Sequence, residues 1–399
     1  MVALLPQSEE QAVRVSAKER PLPRITIVTR LLWPGGVQRL SLEEARALQR
    51  IGYRVNIVFL RETAGGRLLL ESAGPLSITL GTSGSNGPLG SLFTLVTMKF
   101  SPERGPDARI DLDRVFRFEL RRRNSDFVLY TDQYGSLFSW LGRFLHRNKT
   151  IVWIQETFSA HPSLVRRVIE RISLAKADLI LTSTERNRQV LEASGYLGVK
   201  TLRFGARGGC DAPPFDRREN VAISVTVWDK GRHPEFYLEV AQHLTDGRID
   251  LIGNWARQDD LDAFKRAIQE RKLGDRLRVA GRVTEAELES HYRKAKVFMR
   301  VGYNEKGPGL GCLEAMGLGL PLIVNADLGI VEVVRDEVNG FVFERLDPQQ
   351  IAGAISRLFA ERELWDRLSK NNLASSRGLS WSEHASVLSG LICDIQDQR

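Results

Sequence analysis

Short apolar runs alternate with helical segments along most of this chain. ITIVTR, from Ile25, has the composition of a buried strand, a helix is predicted from about Val37 to Ile51, and VNIVFL, from Val55, is the next strand. Strands joined by helices form parallel sheets whose two faces are both covered. Further strands of this kind are predicted at Phe127, Thr150 and Leu179. The chain is therefore predicted to be an α/β protein.

The alternation begins again after a segment that resembles a linker. Gly205 to Asn220 contains the glycine, proline and charge typical of an interdomain connection, and a new strand, VAISVTV, follows from Val221. Because 399 residues are too many for one simple core, we predict two doubly wound domains, over residues 24–215 and 216–379, with a cleft between them. Residues 1–23 are predicted to be a flexible arm. Residues 380–399 are predicted to be a helix that packs back on the N-terminal domain.

The stretch from Asn304 to Val324, NEKGPGLGCLEAMGLGLPLIV, places four glycines and the carboxylate of Glu314 around the start of a predicted short helix. Glycine permits close backbone approach, and the first turn of a helix presents unpaired N–H groups and a positive dipole end. Phosphate is the ligand that best suits this arrangement. Two interpretations stay open from these residues alone: a nucleotide with its ribose on Glu314, or an ordinary strand–helix turn.

Composition excludes several classes of protein. A hydrophobic content of 42% and a charged content of 27% are typical of a globular protein, and no apolar run approaches the roughly 18 residues that span a bilayer. Glu9 and Glu10 lie four and five positions after Leu5, which argues against a signal peptide. Three scattered cysteines and six histidines without ligand spacing predict a cytoplasmic protein with no metal site.

A net charge of +8 favours an anionic partner. The stretch SLVRRVIERISLAKADLIL places apolar residues on one predicted helical face, namely Val165, Val168, Ile169 and Ile172. Its arginines lie on another face. Such a helix is either solvated on its basic side or lies on an anionic membrane surface. A nucleic-acid partner is not predicted, because no recognition module and no basic residues interleaved with exposed aromatics occur.

Four segments together resemble the retaining family 4 glycosyltransferases, the glycosyl transferases group 1 of the GT-B superfamily. They are PGGVQR from Pro34, WDKGRHPEFYLEVAQHL from Trp228, LRVAGRVTEAELESHYRKAKVFM from Leu277 and GLGCLEAMGLGLPLIV from Gly309. The resemblance covers nearly the whole chain after residue 24, and the order and spacing of the segments make it specific. It implies two Rossmann-like domains with parallel sheets that face a central cleft.

The resemblance also implies which residues hold a nucleoside diphosphate sugar, the donor substrate. Glu314 is expected to bind the ribose hydroxyls, and Arg282 and Val283 to bracket the base through their backbone. Lys230 and Arg232 are the candidate cations that stabilise charge on the departing diphosphate without a metal. The expected contributors of backbone amides are Gly35, Gly36, Gly309, Leu310 and Gly311. No separate cofactor is expected.

The chain departs from the family pattern near the donor sugar. The family usually places a second glutamate eight positions before Glu314, where this chain has Lys306. Either a one-residue bulge lets Glu305 reach the sugar hydroxyls, which we prefer, or Lys306 marks an altered donor. The arginine often found ahead of the loop lysine is also absent, and Arg232 is expected to supply the second charge.

A further departure lies at the end of the strand TIVWIQ. Gln155 and Glu156 stand where many relatives place a histidine followed by glutamate. Gln155 can donate and accept hydrogen bonds to a sugar hydroxyl but does not titrate. Glu156 is expected to orient the acceptor. The alternative is a strand-end pair satisfied by backbone groups.

The resulting hypothesis is transfer of a hexose from a nucleoside diphosphate sugar to a saccharide or lipid-linked acceptor, with retention of anomeric configuration. The acceptor is expected to enter from the N-terminal domain, where the Gly81–Ser91 loop lies, and the protein to be cytoplasmic and peripheral at the inner membrane face. A non-catalytic nucleotide-binding scaffold is the alternative. A dinucleotide-dependent oxidoreductase is disfavoured, because ITIVTRLLWPGGVQR lacks the GxGxxG spacing.

Overall fold

The structure is a computed structural model. It describes residues 23–33, 35–62, 66–71, 73–81, 112–121, 125–155, 157–158, 164–206, 211–303, 305 and 307–397. The predicted arm, most of the Gly81–Ser91 loop, Glu156 and Lys306 lie outside the described residues.

The N-terminal domain is built on a seven-stranded parallel sheet. Its strands are β1 (Arg24–Leu32), β2 (Arg54–Glu62), β3 (Ser77–Leu80), β4 (Phe127–Tyr130), β5 (Lys149–Ile154), β6 (Leu179–Thr182) and β7 (Lys200–Thr201). They are ordered β3-β2-β1-β4-β5-β6-β7. All four residues of β4 and of β6 are buried, as expected for strands covered on both faces.

Two layers of helices cover this sheet. They are α1 (Gly36–Arg50), α2 (Arg67–Glu71), α3 (Leu112–Arg121), α4 (Ser139–His146), α5 (Leu164–Ala175) and α6 (Glu185–Ala193). Val115 of α3, Leu174 of α5 and Leu191 of α6 share one core cluster with Val128 and Val152 of the sheet. Helix α1 covers the opposite face.

The C-terminal domain has a six-stranded parallel sheet. Its strands are β8 (Glu219–Val225), β9 (Arg248–Ile252), β10 (Leu277–Gly281), β11 (Ala295–Arg300), β12 (Leu322–Asn325) and β13 (Gly340–Phe343), ordered β10-β9-β8-β11-β12-β13. Its helices are α7 (Pro234–His243), α8 (Gln258–Glu270), α9 (Glu285–Lys294), α10 (Leu310–Gly317), α11 (Pro348–Ala360) and α12 (Arg362–Arg377). In each sheet the strand order reverses beside the first strand, and ligands of such sheets bind at the carboxyl end of this switch point.

The last helix, α13 (Trp381–Asp397), returns to the N-terminal domain and packs on α1. The hydroxyl groups of Tyr53 and Ser389 lie 2.8 Å apart, and Nδ1 of His384 lies 2.7 Å from the carbonyl oxygen of Arg203. Side chains of α1, α10 and α13 belong to one continuous core cluster. The two domains therefore share a core.

The predicted α/β organisation is confirmed, and most predicted helix ends lie within a few residues of the observed ones. The apolar face predicted for α5 includes Val168 and Ile172, and both are exposed, whereas Glu170, Ser173 and Leu174 are buried. The Ser173 hydroxyl lies within hydrogen-bond distance of the carbonyl oxygens of Leu137 and Ile169. No helix among the described residues is long and apolar enough to cross a membrane.

Candidate active site

The glycine-rich segment forms the first turn of α10, as the sequence predicts. Gly309 precedes the helix with φ of 68°, a left-handed conformation that glycine adopts without strain. A side-chain carbon at Gly311 would lie 3.2–3.3 Å from Tyr292, Phe298 and the carbonyl oxygen of Val225. The amides of Cys312 and Leu313 donate to the carbonyl oxygen of Gly309, whereas those of Leu310 and Gly311 find no backbone acceptor among the described residues. The start of α10 thus offers two amide donors to an anion.

Glu314 lies one turn further along α10 and is held from both sides. Its Oε1 accepts a hydrogen bond of 2.7 Å from Nη2 of Arg39, a residue of α1. Its Oε2 accepts a hydrogen bond of 3.0 Å from the hydroxyl of Tyr292 on α9. Only 11% of the Glu314 side chain is exposed. The carboxylate that we expect to meet a ribose is therefore fixed in orientation.

Arg39 connects the two domains electrostatically. Besides Glu314, its guanidinium contacts Glu285, the first residue of α9, with Nε and Oε1 3.1 Å apart. Burial opposes the charge of Arg39, but the carboxylates of Glu314 and Glu285 outweigh this effect and raise the pKa of Arg39 above its ordinary value. Burial, reinforced by Glu314, raises the pKa of Tyr292 well above its ordinary value, so its hydroxyl stays a donor.

A second contact joins the domains at the start of α6. The carboxylate of Glu332 accepts hydrogen bonds from the backbone amides of Glu185, at 3.0 Å, and Arg186, at 2.8 Å. The Arg186 side chain donates to the carbonyl oxygen of Ala326 at 2.6 Å. A carboxylate at a helix N-terminus is favoured by the helix dipole. Charged contacts therefore join the two domains at two places.

Glu305 lies between two arginines. Its Oε2 accepts hydrogen bonds from Nη2 of Arg300, at 2.6 Å, and from Nε of the same side chain, at 3.2 Å. Nη1 of Arg232 lies 2.7 Å from the same oxygen. Only 4% of the Arg300 side chain is exposed, and its Nη1 has no hydrogen-bond partner among the described residues. The three residues, which we call the arginine–glutamate cluster, together carry one net positive charge.

This cluster adjoins the start of α10. A side-chain carbon at Gly309 would lie 3.9 Å from Oε1 of Glu305, the oxygen that neither arginine contacts. Burial opposes the charge of Arg300, but Glu305 outweighs it and raises the pKa of Arg300. The sequence therefore predicted Arg232 and Glu305 as site residues but not that they bind each other.

Three predicted site residues, Lys230, Arg282 and Val283, lie outside the contacts described above. Lys230 begins a short 3₁₀ turn, Lys230–Arg232, and its side chain is exposed. Arg282 is exposed and Val283 half-buried beyond the end of β10. No hydrogen bond or salt bridge from the side chains of Lys230 or Arg282 reaches another described residue. The structure therefore leaves the roles of these three residues as predictions.

Gln155 lies at the carboxyl end of β5. It is 2% exposed, and neither of its side-chain polar atoms has a hydrogen-bond partner among the described residues. It lines a cavity of about 90 Å³ at the ends of β1, β4 and β5, together with Arg30, Asp132 and Tyr134. A side-chain carbon at Gly307 would lie 3.0 Å from the carbonyl oxygen of Gln155. The segment before α10 therefore lies against the end of β5.

The predicted glycine pair lies at the start of α1. The amide of Gly35 donates to the carbonyl oxygen of Trp33 at 2.8 Å. A side chain at Gly36 would meet no atom within 4 Å. The roles of both glycines as amide donors to the nucleotide stay predictions.

Four residues with clear contacts in this cleft were assigned no role from the sequence: Arg39, Glu285, Tyr292 and Arg300. The sequence around Arg300 does indicate a special role, since this residue is the one charge in the otherwise apolar stretch VFMRV. Charges are rarely buried without a partner. Arg39 and Tyr292 lie in segments that carried the resemblance, but nothing in the sequence pairs them with Glu314.

Residues 211–374 match the family model "Glycosyl transferases group 1". Among curated proteins, sucrose-phosphate synthase of Spinacia oleracea is 29% identical over 149 residues, which are 34% of this chain and 14% of that protein. Sucrose-phosphate synthase 4 of Arabidopsis thaliana is 36% identical over 76 residues, 19% of this chain and 7% of that protein. The chain thus spans a small part of the length of these relatives.

Solved structures with the same fold cover almost the whole chain. Anabaena HepE in complex with UDP and glucose superposes with a TM-score of 0.72 at 15% identity, over 93% of this chain and 100% of that one. The sucrose-phosphate synthase of Thermosynechococcus elongatus gives a TM-score of 0.70 at 17% identity, over 94% and 100%. These structures confirm the predicted GT-B architecture.

Proposed function

Since residues 211–374 of this chain belong to the glycosyl transferases group 1 family, we propose that the protein is a glycosyltransferase that moves a hexose from a nucleoside diphosphate sugar to an acceptor. One arrangement supports this proposal above all. The open first turn of α10 stands between a fixed carboxylate, Glu314, and the arginine–glutamate cluster. Backbone amides and arginines that bind an anion suit a diphosphate, and a neighbouring carboxylate that accepts hydrogen bonds suits the attached ribose.

The nucleoside end lies at Glu314 in this proposal. A carboxylate accepts up to about four hydrogen bonds, so ribose hydroxyls can bind while Arg39 and Tyr292 stay in place. Arg282 and Val283 bracket the base from the end of β10. The solved structure of Anabaena HepE holds UDP and glucose, which makes a uridine nucleotide the first donor to test.

The diphosphate lies over the amides of Leu310 and Gly311. Arg232 and Lys230 stabilise the negative charge that develops as the sugar leaves, and fixed charges of this kind need no reorganisation during the reaction. Arg300 contributes to the same field because its guanidinium is buried beside Glu305. Glu305 uses its second oxygen for a hydroxyl of the transferred sugar.

Retention of anomeric configuration is part of the proposal. Glu305 and Glu314 are both ion-paired, which makes either a weak nucleophile. Burial raises the pKa of the Cys312 thiol to about 12, so this side chain is not a thiolate near neutral pH. The acceptor then attacks the face from which the diphosphate departs, and a phosphate oxygen takes the acceptor's proton.

The acceptor, a saccharide or a lipid-linked saccharide, binds in the cavity lined by Gln155. The unpartnered amide of Gln155 offers one donor and one acceptor to a hydroxyl, and the Tyr134 ring provides an apolar face. We place this reaction in the cytoplasm, at the inner face of a membrane.

Transfer is tested with labelled uridine, guanosine and adenosine diphosphate hexoses and a mixture of saccharide and lipid-linked acceptors. We expect one donor to release its nucleoside diphosphate in an acceptor-dependent manner, and the anomeric proton coupling of the product to match that of the donor. Binding of a nucleotide sugar without turnover across this panel would favour the non-catalytic scaffold.

A further inference from the structure

An apolar and basic surface covers the outer side of the N-terminal domain. Helix α5 exposes one residue per turn at spacings of four: Leu164 at 72%, Val168 at 51% and Ile172 at 43%. The neighbouring α4 exposes Trp140 and, one turn later, Phe144 at 80%. Helices α4 and α5 contact each other. We call this surface the α4–α5 face.

The charged side chains that are described and exposed on α3, α4 and α5 have one sign. Within α3, α4 and α5 the carboxylates whose side chains are described, Glu119 and Glu170, are both buried. Basic side chains around the same helices are exposed, namely Arg121, Arg147, Arg167, Arg171 and Lys176. A helical face with apolar residues flanked by arginine and lysine, and without exposed carboxylates, has the composition of a segment that lies in an anionic lipid interface.

The face continues toward the site. Helix α5 begins nine positions after Gln155, so its exposed Leu164 is the end nearer to the acceptor cavity. Leu197, 87% exposed, follows α6, and the Arg171 side chain reaches the adjacent Gly195. An apolar patch of several large side chains marks an interaction surface rather than ordinary solvent exposure.

We propose that the α4–α5 face docks this protein on an anionic phospholipid bilayer, with Phe144, Val168 and Ile172 entering the interface and the surrounding arginines on the lipid phosphates. The occupant is a lipid surface and not a second protein, because the described side chains of α3, α4 and α5 include no exposed carboxylate, whereas basic side chains on and beside these helices are exposed. The contact is independent of glycosyl transfer, so its test does not depend on the proposed activity.

Vesicle binding distinguishes this docking from its alternatives. The full chain is sedimented with vesicles of phosphatidylcholine alone and with vesicles containing 30% phosphatidylglycerol. We expect binding to the anionic vesicles only, weakened by salt. V168Q/I172Q should reduce the partition coefficient about tenfold or more, because two apolar side chains leave the interface. R171E/K176E should reduce it by a similar factor, about tenfold.

Matched controls come from the C-terminal domain and from α13. V338Q/V387Q replaces two valines of comparable exposure, and K265E/R271E reverses two exposed charges. Both should bind like the wild type, and thermal melts verify that all four variants fold. Quenching of Trp140 fluorescence by brominated phospholipid, lost in W140F, reports insertion without altering the apolar stripe.

Three results would overturn the proposal. One is equal binding to neutral and anionic vesicles, and another is unchanged binding of V168Q/I172Q relative to its control. The third is light scattering that shows a dimer which V168Q/I172Q converts to a monomer. A second copy of the chain, rather than lipid, would then cover the face.

Discussion

Nη2 of Arg39 lies 2.7 Å from Oε1 of Glu314, although the two residues are 275 positions apart in the chain. One residue belongs to the glycine-pair segment of the N-terminal domain and the other to the glycine-rich segment of the C-terminal domain. Their contact brings the two most informative stretches of the sequence together at the cleft. It also orients the carboxyl group of Glu314 where a nucleotide ribose is expected.

Removal of Arg39 tests whether it supports or opposes nucleotide binding. We expect Arg39→Met to weaken binding of the cognate nucleoside diphosphate about tenfold, which is about 1.4 kcal/mol, because Glu314 loses the hydrogen-bond donor that orients it. Titration calorimetry measures the change. Arg46→Met, on the same helix, should bind like the wild type. Tighter binding by Arg39→Met would mean that Arg39 competes with the ribose.

Because Arg300 and Glu305 form a buried contact, we expect removal of Arg300 alone to cost more stability than removal of both side chains. Arg300→Met leaves a largely buried carboxylate with one partner fewer and should lower the free energy of unfolding by about 3 kcal/mol. The double variant R300M/E305M should regain most of this loss, since no buried charge remains. Urea unfolding measures both. Arg357→Met removes an exposed pair with Glu361 and should cost under about 1 kcal/mol. Equal losses in the single and double variants would contradict the account.

Glu44 predicts a pH dependence of stability. This residue of α1 is fully buried, with Oε1 3.5 Å from Nε2 of His384. Burial outweighs the opposing effect of the imidazole and raises the pKa of Glu44 above its ordinary value of 4.5. The folded state therefore holds the proton more tightly than the unfolded state. The corresponding stability is present at low pH and is lost as the pH rises through the folded-state pKa.

Glu44→Gln should remove this loss. Near pH 4 we expect the difference in free energy of unfolding between Glu44→Gln and the wild type to stay constant. As the pH rises, the variant should become more stable relative to the wild type. The gain is about 1.4 kcal/mol for each tenfold difference between the acid dissociation constants of Glu44 in the folded and unfolded states. Glu43→Gln, one position earlier, serves as the control. Urea unfolding from about pH 4 to 8 makes the comparison. A constant difference between Glu44→Gln and wild type across this range would refute the assignment.

The glycines of α10 are expected to respond differently from a glycine elsewhere. Gly309→Ala forces a side chain into a left-handed conformation and should lower stability by about 1–2 kcal/mol. Gly353→Ala, in the middle of α11 with no atom near the added carbon, should raise stability by about 0.5–1 kcal/mol. Thermal unfolding distinguishes the two. A neutral Gly309→Ala would show that the turn before α10 is not constrained as described.

Strands and helices followed from the sequence because parallel strands are continuous apolar runs and helices between them have clear ends, as at Gly52 and Pro348. The glycines before α10 and the position of Glu314 followed for the same local reason. The contacts between domains did not, because nothing in a sequence relates Arg39 to Glu314 or Glu332 to the start of α6. Those contacts depend on tertiary packing.

The apolar face of α5 shows a second limit of prediction from the sequence. Apolar residues at spacings of three and four lie on one side of a helix. In the structure, Glu170 and Ser173 occupy the inner face, and the stripe of Leu164, Val168 and Ile172 faces outward. A periodic pattern identifies the stripe but does not say whether it meets a core or another surface.

The central claim is that the C-terminal domain binds a nucleoside diphosphate at α10, with Glu314 on the ribose. The most direct measurement is the melting temperature of the wild type, Glu314→Ala, Lys230→Ala and Arg271→Ala with UDP, GDP, ADP and their glucose conjugates. Because a ligand of the native state raises the melting temperature, one nucleotide should stabilise the wild type and Arg271→Ala alike. Glu314→Ala and Lys230→Ala should lose most of that shift. Equal shifts in all four proteins would contradict the claim.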